Sequence, residues 1–83
     1  MKVVRLISWF DKFDDTLIGE YNVDNVSLEV FKSIFNPPPE DYLMYNPYTI
    51  TEEEVEKLKN VIDFEFDFNK YFYQLDCFQA NSQ

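Results

Sequence analysis

The segment DFEFDFNKYFYQLDCF, residues 63–78, decides the fold of this 83-residue chain. Its second half, residues 71–78, is rich in aromatic residues and predicts a strand. Residues 63–68 alternate carboxylates with phenylalanines, and a period of two permits a further short strand there. The more apolar face of the predicted strand carries Tyr71, Tyr73, Leu75 and Cys77.

The N-terminal quarter of the chain predicts a β-hairpin. Residues 3–10 are mostly β-branched or aromatic, and residues 17–23 form a second strand-type run after a turn-forming stretch. Two runs this close in sequence favour antiparallel pairing. Gly19, the only glycine, interrupts the second run, which predicts a bulge or the close approach of a packed helix at that position.

Two short helices are predicted between this hairpin and the last strand. Ser27 is the best placed N-cap for the first helix, which has to end where Asn36 meets three consecutive prolines. The second begins at Thr51, because Glu54 three residues later completes a capping box. Ile50 before the cap can pack on Val55 as a hydrophobic staple. The apolar stripes are Leu28, Phe31, Ile34 and Phe35 in the first helix, and Val55, Leu58 and Ile62 in the second.

These elements predict an α+β fold. A small antiparallel sheet of three to four strands, in the order ββααβ or ββααββ, is expected to be covered on one face by two helices. The length suits one domain spanning residues 1–83, with residues 79–83 as a frayed tail. We expect this domain to be a monomer.

The amino-acid composition argues against most kinds of catalytic and cofactor-binding site. The chain has no histidine, and its only glycine cannot build a glycine-rich phosphate loop. Cys77 is the only cysteine, which is typical of a reducing compartment, and without a histidine to activate it we expect a core residue. We therefore expect no enzyme, no metal and no cofactor. No targeting signal or membrane-spanning run is visible, so we expect the cytoplasm.

Charge is the most informative property of the sequence. The formal net charge is −9, which argues against direct binding of nucleic acid. Residues 40–67 contain nine of the sixteen carboxylates and only two lysines, and so carry −7 of that charge. One interpretation is a solvated face, because helix capping and the helix dipole explain three of the glutamates. The other is a surface that attracts a basic protein.

Tyrosines beside this acidic window have two interpretations as well. They can cap a small core, or they can act as the amphipathic anchors that dominate interface energies. The candidate partner-binding residues are Glu52, Glu53, Glu56, Asp63, Glu65, Asp67, Tyr42, Tyr45 and Tyr48.

Four stretches of the chain resemble a small bacterial family of unknown-function domains. They are residues 6–12 (LISWFDK), 17–20 (LIGE), 48–58 and 71–77 (YFYQLDC). Members of that family resemble small acidic proteins encoded beside toxins of polymorphic and contact-dependent growth inhibition systems. The resemblance implies an immunity protein that binds and blocks a cognate toxin domain in the cytoplasm. We expect a basic toxin, a nuclease domain, because a groove that holds phosphates has to be positive.

Two other functions fit the same acidity and size. A phage-type inhibitor that mimics nucleic acid, such as an anti-restriction or anti-CRISPR protein, is the main alternative. If residues 63–67 are extended, their carboxylates repeat about every 6.6–6.8 Å, close to the phosphate spacing of a nucleic-acid strand. Such an inhibitor should display carboxylates over much of one elongated face. A structural or regulatory subunit would instead need a large exposed apolar patch.

Overall fold

A computed structural model describes residues 2–80 of the chain, except for the side chain of Ala80. The order of strands and α-helices is ββαβαβ, and the predicted α+β class is confirmed. The strands are β1 (Lys2–Asp11), β2 (Leu17–Asn22), β3 (Tyr48–Ile50) and β4 (Tyr71–Ala80), and the helices are α1 (Leu28–Phe35) and α2 (Glu52–Leu58).

The four strands form one antiparallel sheet in the order β2-β1-β4-β3. The two long strands, β1 and β4, lie in the middle and pair over their whole length, from Lys2 opposite Ala80 to Asp11 opposite Tyr71. This pairing places the two ends of the described chain next to each other. The sheet therefore depends on contacts between residues that are far apart in sequence.

Three features of the sheet differ from the prediction. β3 was not predicted, because three residues after Pro47 are too few for a period of two to show. The short strand permitted for residues 63–68 is absent, and that segment follows no regular secondary structure. β4 continues through Gln79 and Ala80, which therefore belong to the strand and not to the predicted tail. Residues 81–83 lie outside the described residues.

Gly19 lies beside a β-bulge, as predicted. Trp9 pairs with Gly19 but Phe10 pairs with Leu17, so β2 carries an extra residue at this point. The close approach is made by a side chain of β1 and not by a helix. A Cβ atom added to Gly19 would lie 2.3 Å from Cζ2 of Trp9. Glycine is needed here because the indole occupies that space.

Both helices begin at the predicted caps. The hydroxyl of Ser27 accepts the backbone N–H of Val30 at 3.3 Å, and α1 ends at Asn36 in the left-handed conformation. The capping box at the start of α2 is present. There the backbone N–H and the hydroxyl of Thr51 both donate to Oε1 of Glu54, at 2.7 and 2.6 Å. Helix α2 ends at Leu58, so Ile62 lies beyond it, although Ile62 still packs against the core.

The sheet has one covered and one open face. Cross-strand partners share a face, and Ile7, Tyr73 and Leu75 point to the side where α1 and α2 lie. On that covered face the buried core consists of Ile7, Val23, Phe31, Ile34, Met44, Ile50, Leu58, Tyr73 and Leu75. On the opposite side, which we call the open face, the central strands place Val4, Leu6, Ser8, Phe10, Phe72, Gln74, Asp76 and Phe78.

Candidate protein-binding surface

Residues 62–68 cross the covered face of the sheet, and their phenylalanines pack on its aromatic side chains. The ring centroid of Phe64 lies 5.1 Å from that of Trp9, and those of Phe66 and Phe68 lie 4.8 and 5.3 Å from that of Tyr73. The carboxylates of Asp63 and Glu65, which alternate with these rings, are exposed. Ring packing thus holds two acidic side chains away from the sheet.

Asp67 differs from these two acids because it is used within the fold. Its carboxylate accepts the backbone N–H of Asn69 at 3.1 Å, and its own N–H donates to the hydroxyl of Tyr73 at 2.8 Å. Burial raises the pKa of Tyr73 above its ordinary value. The segment therefore displays two outward carboxylates, and Asp67 closes the turn that leads into β4.

The glutamates of α2 also differ in whether their carboxylates form hydrogen bonds or ion pairs within the protein. Glu52 and Glu53 are exposed and make no side-chain hydrogen bond or ion pair with a described residue. Glu56 pairs with Lys59 at 2.9 Å, and Glu54 is held by Thr51. Among the candidate partner-binding residues, we define the acidic layer as those whose carboxylates are exposed and unpaired, which are Glu52, Glu53, Asp63 and Glu65.

The three candidate tyrosines do not form one patch of equivalent residues. Tyr42 and Tyr45 are exposed, and the ammonium group of Lys32 lies 5.7 Å from the ring centroid of Tyr42. Tyr48 is half-buried in β3, and its ring lies 5.9 Å from that of Phe35. Tyr42 and Tyr45 are available to a partner, whereas Tyr48 packs against α1.

Asp41 organises the loop that carries these tyrosines. Its carboxylate accepts the hydroxyl of Tyr48 at 2.6 Å and the backbone N–H groups of Tyr45 and Asn46 at 2.9 and 3.1 Å. The Tyr48 hydroxyl is the main cause that lowers the pKa of Asp41. Burial, followed by the bond to Asp41, raises the pKa of Tyr48 to about 12. This carboxylate therefore contributes structure, not interaction surface.

The role of Asp41 was not predicted, because in the sequence Asp41 is only one of the nine acids in residues 40–67. Its position seven residues before Tyr48, across a loop with Pro47, gives no periodic signal. The guanidinium of Arg5 provides a second support for the loop by donating to the carbonyl of Leu43 at 2.7 Å. Together, Asp41 and Arg5 fix the backbone between α1 and β3.

A cavity of about 230 Å³ opens next to this loop. Its lining is mainly apolar, and burial raises the pKa of the Cys77 thiol. A thiol with a raised pKa is mostly protonated near neutral pH and is a poor nucleophile. The cavity therefore does not make Cys77 a reactive group. Its lining residues are Val3, Tyr45, Cys77 and Gln79.

Within residues 2–80, no cluster of three or more His, Cys, Asp or Glu side chains is arranged to hold a metal ion. None of the helices in that range has the length and hydropathy needed to cross a bilayer.

A comparison with known protein families identifies the family of this chain. A family model described as a domain of unknown function, DUF7683, matches residues 4–76. Its description states no activity, substrate or partner. No curated protein matches the chain. The match thus supports the resemblance to a family of unknown-function domains, and it carries no link to immunity proteins.

Proposed function

The chain belongs to DUF7683, a domain family of unknown function, and from the side chains on its surface we propose that it is an immunity-type inhibitor. In this proposal it binds a basic bacterial toxin domain, a nuclease, in the cytoplasm. The bound inhibitor blocks the groove in which the toxin holds its nucleic-acid substrate. The protein acts by binding alone and performs no reaction.

The acidic layer is the observation that supports this proposal. Unpaired carboxylates on a surface leave a negative potential that neighbouring cations do not cancel. Such a potential speeds the encounter with a basic protein and disfavours acidic partners. Capping and the dipole of α2 account for the presence of glutamates in its first turn, but they do not require Asp63 and Glu65 to point outward. Packing of Phe64 and Phe66 against the rings of Trp9 and Tyr73 keeps those two carboxylates pointing outward.

Exposed aromatic residues would supply the affinity that charge alone does not give. Tyrosine is enriched among residues that dominate interface energies, because its ring buries apolar area and its hydroxyl keeps a polar contact. In this proposal Tyr42 and Tyr45 contact the toxin beside its groove. Tyr48 stays in the fold, where it holds Asp41.

Nucleic-acid mimicry is less well supported by the same geometry. The described chain measures 35 × 30 × 25 Å, so it has no markedly elongated face. Asp67, the third acid of the stripe, is tied to Asn69. Two outward carboxylates make too short a row to imitate a phosphate backbone.

The first experiment tests inhibition in cells. The protein encoded by the neighbouring gene is expressed with and without this chain, and growth is followed. The proposal expects that expression of the neighbouring protein stops growth and that co-expression of this chain restores it. A neighbouring protein that is harmless, or whose toxicity the chain leaves unchanged, would contradict the proposal.

The second experiment tests the acidic layer by stopped-flow association with the purified toxin. Asp63→Asn with Glu65→Gln should slow association several-fold at low salt, and the difference should shrink at 0.15 M, where the Debye length is about 8 Å. Asp15→Asn with Glu29→Gln makes the same change in net charge elsewhere and serves as the control. Equal on-rates for all three proteins at low salt would remove the acidic layer from the proposal.

A further inference from the structure

The open face of the sheet exposes apolar side chains at both ends, and the helices α1 and α2 pack on the other face. Phe10 and Phe72 stack at one end, with ring centroids 4.9 Å apart, and Val4 pairs with Phe78 at the other. None of these four side chains belongs to the core or packs against it. Phe72 and Phe78 are 37% and 48% exposed, and Leu17, opposite Phe10, is 49% exposed. Exposed apolar faces of this kind mark protein contacts.

Polar and acidic groups without cationic partners lie between these apolar ends. Asp76 is only 8% exposed, and its carboxylate accepts a hydrogen bond from Nε2 of Gln74. It makes no ion pair with a described Lys or Arg. The hydroxyl of Ser8 is buried and has no hydrogen-bond partner among the described residues. Glu20, exposed and opposite Ser8 on β2, adds a second carboxylate to the middle of the face.

We propose that the open face docks an amphipathic helix of another protein, one with an apolar stripe interrupted by a central Lys or Arg. The apolar residues of that helix would cover the Phe10–Phe72 and Val4–Phe78 pairs, and its cation would reach Asp76 and Glu20. From Val4 to Phe10 the strand spans about 20 Å, which matches about 13 residues of helix. A helix on the open face would complete a layered architecture with the sheet in the middle.

Charge complementarity selects this occupant over a second copy of the chain. Two copies stacked on their open faces would bring Asp76 and Glu20 of each together and would bury carboxylates without cations. Each copy also carries a net charge of −9. The surface is separate from the acidic layer, which lies on the covered side, so this inference stands independently of the proposed function.

The test uses two synthetic 14-residue helical peptides with leucines at the same positions. One carries lysine at its centre and the other glutamate. They are titrated into the uniformly ¹⁵N-labelled protein at 0.15 M salt, and amide shifts are mapped. We expect saturable shifts at Ser8, Glu20, Phe72 and Asp76 with the lysine peptide, at a Kd below about 1 mM, and none with the glutamate peptide.

Variants distinguish this face from general attraction to an acidic protein. Phe72→Thr should raise the Kd for the lysine peptide about tenfold, and Glu20→Lys should raise it by a similar factor. Glu53→Lys, in the acidic layer, should change its Kd less than twofold. Glu20 is exposed and makes no side-chain hydrogen bond with a described residue, so its variant remains informative even if Phe72→Thr fails to fold.

Three results would overturn the inference. The first is a set of shifts confined to α2 and residues 62–68, which would mean that the peptide meets only the acidic layer. The second is equal binding of the lysine and glutamate peptides. The third is a dimer in sedimentation experiments that Phe72→Thr dissociates, because the open face would then bind a second copy.

Discussion

The hydroxyl of Tyr73 accepts the backbone N–H of Asp67 at 2.8 Å, and this bond ties residues 62–68 to the sheet. Tyr73 lies on β4 and is only 2% exposed, and its ring packs against those of Phe66 and Phe68, which also stack on each other. One side chain therefore supports the segment in two ways, through its ring and through its hydroxyl. The orientation of Asp63 and Glu65 depends on that support.

Tyr73→Phe tests this relationship by removing the hydroxyl and keeping the ring. The N–H of Asp67 loses its acceptor, so we expect a loss of about 1 kcal/mol and a Tm lower by about 4–8 °C. Hydrogen exchange at Asp67 should become faster. Tyr71→Phe is the control, because the Tyr71 hydroxyl makes no hydrogen bond with a described residue. Equal thermal melts for the two variants would show that the bond does not hold the segment.

Thr51→Ala tests the start of α2. The alanine variant loses the hydroxyl that donates to Glu54, and N-cap replacements of this type cost about 1 kcal/mol. The expected decrease in Tm is again about 4–8 °C. Glu53→Gln provides the comparison, since Glu53 lies in the same turn without a hydrogen bond to a described residue. A Tm unchanged by Thr51→Ala would mean that the capping box does not stabilise α2.

Gly19→Ala tests the contact between β2 and Trp9. The added methyl would have to displace the indole, and overpacking of this kind costs about 1–3 kcal/mol. Trp9 is the only tryptophan, so the shift of its ring should change the fluorescence spectrum of the native protein. Glu20→Ala at the next position should leave both stability and spectrum nearly unchanged. A Gly19→Ala variant as stable as the native chain would show that the ring moves aside freely.

Tyr48→Phe tests the pair of Tyr48 and Asp41 through its dependence on pH. The pKa of Tyr48 is raised from 10.0 to about 12, so its contribution to stability is complete below pH 10 and is lost as pH rises towards 12. The pKa of Asp41 is lowered from 3.8, so its contribution is present above that value and is lost as pH falls below it. The difference in Tm between native protein and variant should therefore be largest between these limits and shrink on both sides. A difference that is constant from pH 3 to pH 12 would contradict this.

The periodic parts of the fold could be predicted from the sequence. The helix starts at Ser27 and Thr51 follow from capping residues whose effect is local. The bulge beside Gly19 follows from a single residue type. In each case the signal and the structure lie within a few residues of each other.

The parts that escaped prediction depend on distant partners. β3 exists because Tyr48–Ile50 pairs with Tyr73–Leu75, and three residues carry no pattern of their own. Residues 63–68 alternate like a strand because their phenylalanines pack on the rings of Trp9 and Tyr73. This packing produces a period of two although the segment pairs with no strand. The exposed apolar residues of the open face were not predicted either. The alternation in β4 marks the side with Tyr73 and Leu75 as the more apolar one, although Phe72 and Phe78 lie on the other side.

The two outermost strands restrict the ways in which another chain can join this sheet. β3 has three residues, and β2 is interrupted by the bulge beside Gly19, so neither presents a long straight row of unpaired backbone groups. Strand addition at a sheet edge, which underlies both peptide capture and edge-to-edge aggregation, needs such a row. A partner therefore has to recognise side chains, and the protein should resist forming fibres even at high concentration.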